Sequence, residues 1–159
     1  MSRQEPSRVV VVGVGNVLLT DEGIGAHVVR RLAELDLPPA VELIEAGTMP
    51  VECLGRVADI ARLIIVDAVN AGGPPGAIYR LPVSQVAHAG PQLSLHELTL
   101  AEALMTWRSR GLDESRTVII GIQPHSITWG TELSQPIAEK MPIILDTVVA
   151  EVLRKDEVE

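Results

Sequence analysis

Three side chains that could share one chemical site stand at the ends of predicted structural elements. Glu22 follows a run of β-branched residues, Asp67 closes a second apolar run, and His96 lies in the first turn of a predicted helix. If the two strands are neighbours, their carboxyl ends lie only about 5 Å apart. The helix dipole favours neutral imidazole at His96, the form that binds metal. Two carboxylates and an imidazole suit a divalent transition ion such as nickel or zinc.

Each of these residues also has a simpler explanation. Glu22 is compatible with an ordinary acid in the first turn of a helix, where the dipole favours negative charge. For His96 taken alone, a solvated histidine at a helix start is the default interpretation. Asp67 is harder to explain this way, because burying a carboxylate without a partner is costly. Glu97 fits best as a capping residue opposite Ser94, and Asp21 is predicted to cap the first helix.

Two familiar motifs are excluded by single positions. The run from His96 begins like the zinc-protease pattern HExxH, but Leu100 stands where the second histidine is required. Gly13 and Gly15 begin like a dinucleotide-binding fingerprint, but the third glycine would fall at Leu18. The two glycines are therefore interpreted as turn residues that let the backbone pass close to a ligand.

Strands that alternate with helices predict a three-layer α/β/α domain with a mostly parallel sheet. The five predicted strands are short and mostly apolar: Arg8–Val14, Val41–Glu45, Leu63–Asp67, Ala77–Leu81 and Thr117–Gly121. The predicted helices run over Ile24–Leu35, from Pro50 to Asp59, from Ser94 to about Gly111, and from Pro142 onward.

Composition narrows the class of protein. The 159 residues, with no internal repeat or linker, predict a single domain, 1–159, frayed at about 1–7 and 155–159. A net charge of −8 and the absence of Phe argue against nucleic-acid binding, which needs clustered cations and stacking rings. The single cysteine, Cys53, precludes an intrachain disulfide, and no apolar run approaches a membrane span. We expect a cytoplasmic protein with no membrane partner and no tightly bound organic cofactor.

The stretch Gly13–Gly25, GVGNVLLTDEGIG, closely resembles the opening motif of the nickel–iron hydrogenase maturation endopeptidases, roughly GxGNxLLxDExxG. The resemblance continues in chain order over nearly the whole sequence. It includes Glu45-Ala-Gly-Thr48, Ile64-Ile-Val-Asp67, Leu93-Ser-Leu-His96 and Gly121-Ile-Gln-Pro124.

The resemblance implies a twisted five-stranded sheet in which one strand, here Ala77–Leu81, is antiparallel. It also implies removal of a C-terminal extension from the hydrogenase large-subunit precursor once nickel has been inserted. Members of this family bind a divalent ion through a glutamate, an aspartate and a histidine, which map by motif onto Glu22, Asp67 and His96.

Our hypothesis is a metal-dependent, aspartic-type endopeptidase that acts as a monomer and engages nickel supplied by the precursor. Glu22 and Asp67 are the candidate catalytic residues, with Asp67 favoured as general base. Two alternatives remain open: a nucleotide- or flavin-binding domain, and a non-catalytic nickel chaperone for hydrogenase assembly. Substrate specificity is expected in the loops Gly47–Val51, Val83–Pro91 and Gln123–Gly130.

Overall fold

The sheet is the central layer of the molecule. The computed structural model describes residues 8–48, 60–83, 104–109, 111 and 113–154. Its strands are β1 (Val9–Val14), β2 (Val41–Gly47), β3 (Arg62–Ala68), β4 (Ile78–Pro82) and β5 (Thr117–Ile122). They form one sheet in the order β2-β1-β3-β5-β4, in which β4 pairs antiparallel with β5 and all other pairs are parallel. The predicted mostly parallel sheet with an antiparallel fourth strand is confirmed.

Alternation along β1 divides the core between two faces of the sheet. On one face Val11 packs with Ile24 and Ile144, which belong to helices α1 (Ile24–Leu32) and α2 (Gln135–Val152). On the other face Val10 and Val12 pack with Leu104 and Trp107 of the helical residues 104–109. Strands buried on both faces explain the uninterrupted Val and Ile runs in the sequence. The result is the predicted α/β/α arrangement.

The last helix begins earlier than predicted. Proline was expected to open it at position 142, but α2 begins at Gln135, and Pro136 occupies the first turn, where a missing N–H costs nothing. Pro142 lies inside the helix on its exposed side, so water can reach the carbonyl group that loses its donor. The first helix is shorter than predicted, because Glu34 and Leu35 bond three residues back and tighten the chain into a turn.

Some predicted elements fall outside the described residues. These are the short helix from Pro50 to Asp59, and the capping box Ser94–Glu97 with the start of its helix, which the structure describes only over residues 104–109. In the part of the chain that is described, no helix combines the length and apolar character needed to cross a membrane.

The start of α1 lies directly on the backbone of the two central strands. A methyl group at Gly25 would overlap the carbonyl oxygens of Val14 and Val66, and one at Gly13 would lie 2.8 Å from the Val29 side chain and overlap the Gly25 carbonyl. These glycines therefore permit a closer helix-to-sheet approach than any other residue type allows. The approach fixes where the loop between β1 and α1 lies relative to β3.

We expect Gly25→Ala to destabilise the protein although alanine is the better helix former. Overlap with two backbone carbonyls should lower the free energy of unfolding in urea by about 1–3 kcal/mol, beyond the gain of up to about 1 kcal/mol in helix propensity. The matched control is Gly47→Ala, where φ is +62° but nothing lies within 4 Å of the added methyl group. That variant should show only the smaller conformational cost. Equal or greater stability of Gly25→Ala would contradict the packing described here.

Candidate active site

Glu22 lies at the carboxyl edge of the sheet, as predicted. After β1 the chain turns through Asn16, whose side-chain oxygen accepts a hydrogen bond from the Leu18 N–H at 2.9 Å. It then forms a single 3-10 turn, Thr20–Gly23, that leads directly into α1. Glu22 lies in this turn and is half-buried, and among the described residues none donates a hydrogen bond to its carboxylate. Its acidic group is therefore available for a ligand.

Thr20, the first residue of this turn, has an unfavourable backbone conformation. Its φ is +49°, a left-handed value that is costly for a β-branched residue. The Thr20 hydroxyl lies 2.6 Å from the Ser126 carbonyl oxygen and accepts a hydrogen bond from the Thr128 N–H at 3.1 Å. These contacts with a loop more than 100 residues away maintain the strained geometry next to Glu22. Strain of this kind is concentrated at functional sites.

Asp67 lies at the same edge, near the end of β3. Its side chain is only 2% exposed, and its Oδ1 accepts a hydrogen bond from the Ala68 N–H at 2.8 Å. Because β1 and β3 are neighbours, the two strand ends lie side by side. A methyl group at Gly15 would overlap the Glu22 carbonyl oxygen and lie 3.8 Å from Asp67 Oδ1. Gly15 thus lies between the Glu22 backbone and the Asp67 carboxylate, where the Glu22 carbonyl leaves no room for a side chain.

The third predicted ligand, His96, lies outside the described residues, so its place in the site stays a prediction. Over the ranges that the structure does describe, no group of three or more His, Cys, Asp or Glu side chains is placed to hold a metal ion. The structure therefore brings two of the three predicted residues to one edge of the sheet.

Asp21 does not cap the first helix, and that prediction is wrong. The N-cap position of α1 is Gly23, while the Asp21 side chain is fully buried and reaches the segment before α2. Its Oδ2 accepts hydrogen bonds from the N–H groups of His125 and Ser126 at 3.0 and 2.8 Å and from the Ser134 hydroxyl at 2.6 Å, and its Oδ1 accepts one from the Ser134 N–H at 2.8 Å. Asp21 thereby joins the Glu22 turn to the loop after β5. Its partners are too distant in sequence for any local pattern to reveal them.

Gln123 has a similar role that the sequence did not reveal. Its buried side chain accepts hydrogen bonds from the Ala71 N–H at 2.9 Å and the Tyr79 hydroxyl at 3.0 Å, and donates one to the Asn70 side chain at 3.0 Å. The loop that follows Asp67 is therefore anchored to the end of β5. Residues just after β5 therefore hold both loops of the site: Gln123 binds the loop after β3, and the N–H groups of His125 and Ser126 bind the Glu22 turn through Asp21.

Two of the remaining histidines, His27 and His125, lie within the described residues. His27 is half-buried in α1, and burial, together with the nearby charge of Arg30, holds the pKa of its ring below the ordinary value. Glu45, the Thr131 carbonyl and Asp21 oppose this shift without reversing it. His125 is exposed, while His88 lies outside the described residues. Burial and Arg30 thus favour the neutral ring of His27, which lies beside the loop before α2.

Comparison with known proteins finds relatives that cover most of the chain. The family model for hydrogenase maturation proteases matches residues 26–151. The Hydrogenase 2 maturation protease of Escherichia coli (strain K12) is 36% identical over 155 residues, which cover 96% of this chain and 94% of that protein. The hydrogenase expression/formation protein HupD of Rhodobacter capsulatus is 34% identical over 155 residues, 95% of this chain and 72% of that protein.

Solved structures give the same result. The hydrogenase maturating endopeptidase HybD from E. coli has a TM-score of 0.80 and 32% identity, with 90% of each chain covered. The [NiFe] hydrogenase maturation protease HycI from Thermococcus kodakarensis KOD1 has a TM-score of 0.79 and 27% identity, over 93% of this chain and 94% of that one. The fold is thus that of a class of peptidases. The chain belongs to the hydrogenase maturation protease family.

We expect Asp21→Ala to destabilise the protein strongly, because it leaves four partly buried donors without the fully buried carboxylate that accepts their hydrogen bonds. An unsatisfied buried donor costs on the order of 1–3 kcal/mol, so the free energy of unfolding in urea should fall by about 3 kcal/mol or more. Asp36→Ala is the matched control, because Asp36 is exposed in the turn after α1. It should change the stability by less than about 0.5 kcal/mol. If the urea midpoint of Asp21→Ala equals that of the wild type, the Asp21 carboxylate does not stabilise the contact between the Glu22 turn and the loop after β5.

Proposed function

We propose that this protein is an endopeptidase that removes the C-terminal extension of a nickel–iron hydrogenase large-subunit precursor after nickel insertion. Membership of the hydrogenase maturation protease family supports the reaction class and a protein substrate. The observation that carries the proposal is the placement of Glu22 and Asp67 on either side of Gly15 at the carboxyl edge of the sheet. In open α/β sheets this edge is where ligands bind.

The chemistry of this edge fits a bound divalent ion. Asp67 is almost completely buried, so an ion bound by its carboxylate would be shielded from water and held more strongly. Glu22 offers a second carboxylate from the adjacent turn, and His96 is the proposed third ligand. Two oxygens and an imidazole nitrogen form a donor set suited to nickel or zinc. Gly15 has no side chain, so the backbone of Glu22 can lie this close to the end of β3.

In this proposal nickel arrives as part of the substrate. Glu22, Asp67 and His96 would bind the ion already seated in the precursor, and this would bring the scissile peptide to the edge of the sheet. An ion bound there supplies Lewis acidity toward the peptide carbonyl or a water molecule. Asp67 would accept the proton from the attacking water and return it to the leaving amine. Cleavage would thereby require that nickel has been inserted into the precursor.

The main rival is a nickel chaperone that uses the same ligands without cutting the precursor. It requires the same acidic edge, so geometry alone does not separate the two functions. The two differ in one observable: a protease shortens the precursor, whereas a chaperone leaves its mass unchanged. Action as a monomer is part of our proposal and does not depend on this choice.

The test is the intact mass of a nickel-loaded large-subunit precursor before and after incubation with the protein, with the nickel-free precursor alongside. We expect loss of a C-terminal peptide from the loaded form alone. Glu22→Gln, Asp67→Asn and His96→Ala should each reduce the cleavage rate at least about 100-fold, the usual cost of removing a group that acts in the reaction. Glu139→Gln, on the exposed side of α2, is the matched control and should cleave normally.

Each other outcome has a definite meaning. Binding of the nickel-loaded precursor with no change of mass would establish the chaperone. Equal cleavage of both precursors would support the protease function and show that cleavage does not require nickel. Full activity of one of the three variants would remove that residue from the site.

A further inference from the structure

Three large apolar side chains beside the Glu22 turn are exposed to solvent. Leu18 is 50% exposed, Ile127 52% and Trp129 82%. We call these three residues the apolar rim. Other exposed apolar residues of the described chain lie on different elements, such as Met105 in the helical residues 104–109 and Ile143 in α2. An almost fully exposed tryptophan is unfavourable in water and is typical of an interaction site.

The rim is formed by two segments that pair through their backbones. Leu19 and Gly130 form an isolated parallel bridge, the Gly130 N–H donates to the Leu18 carbonyl at 2.9 Å, and the Thr20 N–H donates to the Gly130 carbonyl at 2.9 Å. Leu18 and Trp129 each precede a bridge residue, so they occupy adjacent positions on the two segments. Side chains at paired positions of neighbouring strands project from the same face.

The rim is also held in place. The Thr20 hydroxyl and the buried Asp21 carboxylate bind the backbone of residues 125–128 on one side of Trp129, and Asp21 binds Ser134 on the other. The backbone that carries these side chains therefore has little conformational freedom to lose when a partner packs against them. Preorganised aromatic anchors of this kind contribute most of the binding energy in many protein interfaces.

We propose that the apolar rim is the docking surface for an apolar polypeptide segment of the hydrogenase precursor, next to the bond that is cut. This inference rests on the proposed function. The surface is continuous with the site, because Thr20, bonded to Gly130, is in the same 3-10 turn as Glu22. A protein substrate whose scissile bond reaches Glu22 would therefore have Leu18 and Trp129 beside its chain. The rim contributes to substrate affinity and not to the chemical step.

The test separates KM from kcat for cleavage of the nickel-loaded precursor. For the double variant Leu18→Ala/Trp129→Ala we expect KM to rise about tenfold or more, as for loss of an interface anchor, with kcat within about twofold of the wild type. Trp129→Phe keeps an aromatic ring and should recover most of the affinity. The matched control is Met105→Ala/Ile143→Ala, which removes exposed apolar groups elsewhere and should leave KM unchanged. Circular dichroism should show that all variants are folded.

Three results would overturn the inference. The first is an unchanged KM in the double variant, and the second is an equal rise of KM in the control. The third is a concentration-dependent dimer in sedimentation velocity that the double variant abolishes, because a second copy of the chain would then be the occupant. If the wild type cleaves no precursor, the proposed function fails, and binding of the same precursor is measured by calorimetry. If the double variant then binds the precursor about tenfold more weakly than the wild type, the apolar rim is still supported as a docking surface.

Discussion

The site depends on one steric constraint, the close approach of the β1–α1 segment to the backbone of β1 and β3. Gly13, Gly15 and Gly25 make this approach possible, because a methyl group at any of them would overlap a backbone carbonyl oxygen. The constraint determines chemistry as well as packing. It places the turn with Glu22 against the end of β3, where Asp67 is buried. A larger residue at Gly15 would overlap the Glu22 carbonyl oxygen and displace the turn that carries this proposed ligand.

A second layer of interactions connects this segment to the loop after β5. The buried Asp21 carboxylate and the Thr20 hydroxyl bind that loop from one side, while Gln123 binds the loop after β3. Three loops from three adjacent strands are thus held by hydrogen bonds from a few polar side chains. Preorganisation of this kind favours both catalysis and docking, because little structure has to form when the substrate binds. The same contacts stabilise the strained backbone conformation of Thr20.

Local patterns in the sequence predicted much of this structure. Runs of Val and Ile predicted the central strands, and the position of Glu22 and Asp67 after two of them predicted that both acids would lie at one edge. Long-range contacts were beyond such patterns, since the partners of Asp21 lie 104 to 113 residues away. The start of α2 was misplaced because Pro142, tolerated on the exposed side of the helix, has the same local signature as the true first-turn proline, Pro136. The ligand role of His96 stays a prediction.

The central claim, that Glu22 and Asp67 act together at one site, is tested most directly by a double-mutant cycle on single-turnover cleavage. The rates of Glu22→Gln, Asp67→Asn and the double variant are measured with enzyme in excess over nickel-loaded precursor. Groups that act as a unit give strongly non-additive effects. We predict that the double variant cleaves within about threefold of the slower single variant. A double variant slowed by the full product of the two single effects would show that the two carboxylates act independently, and would contradict the account.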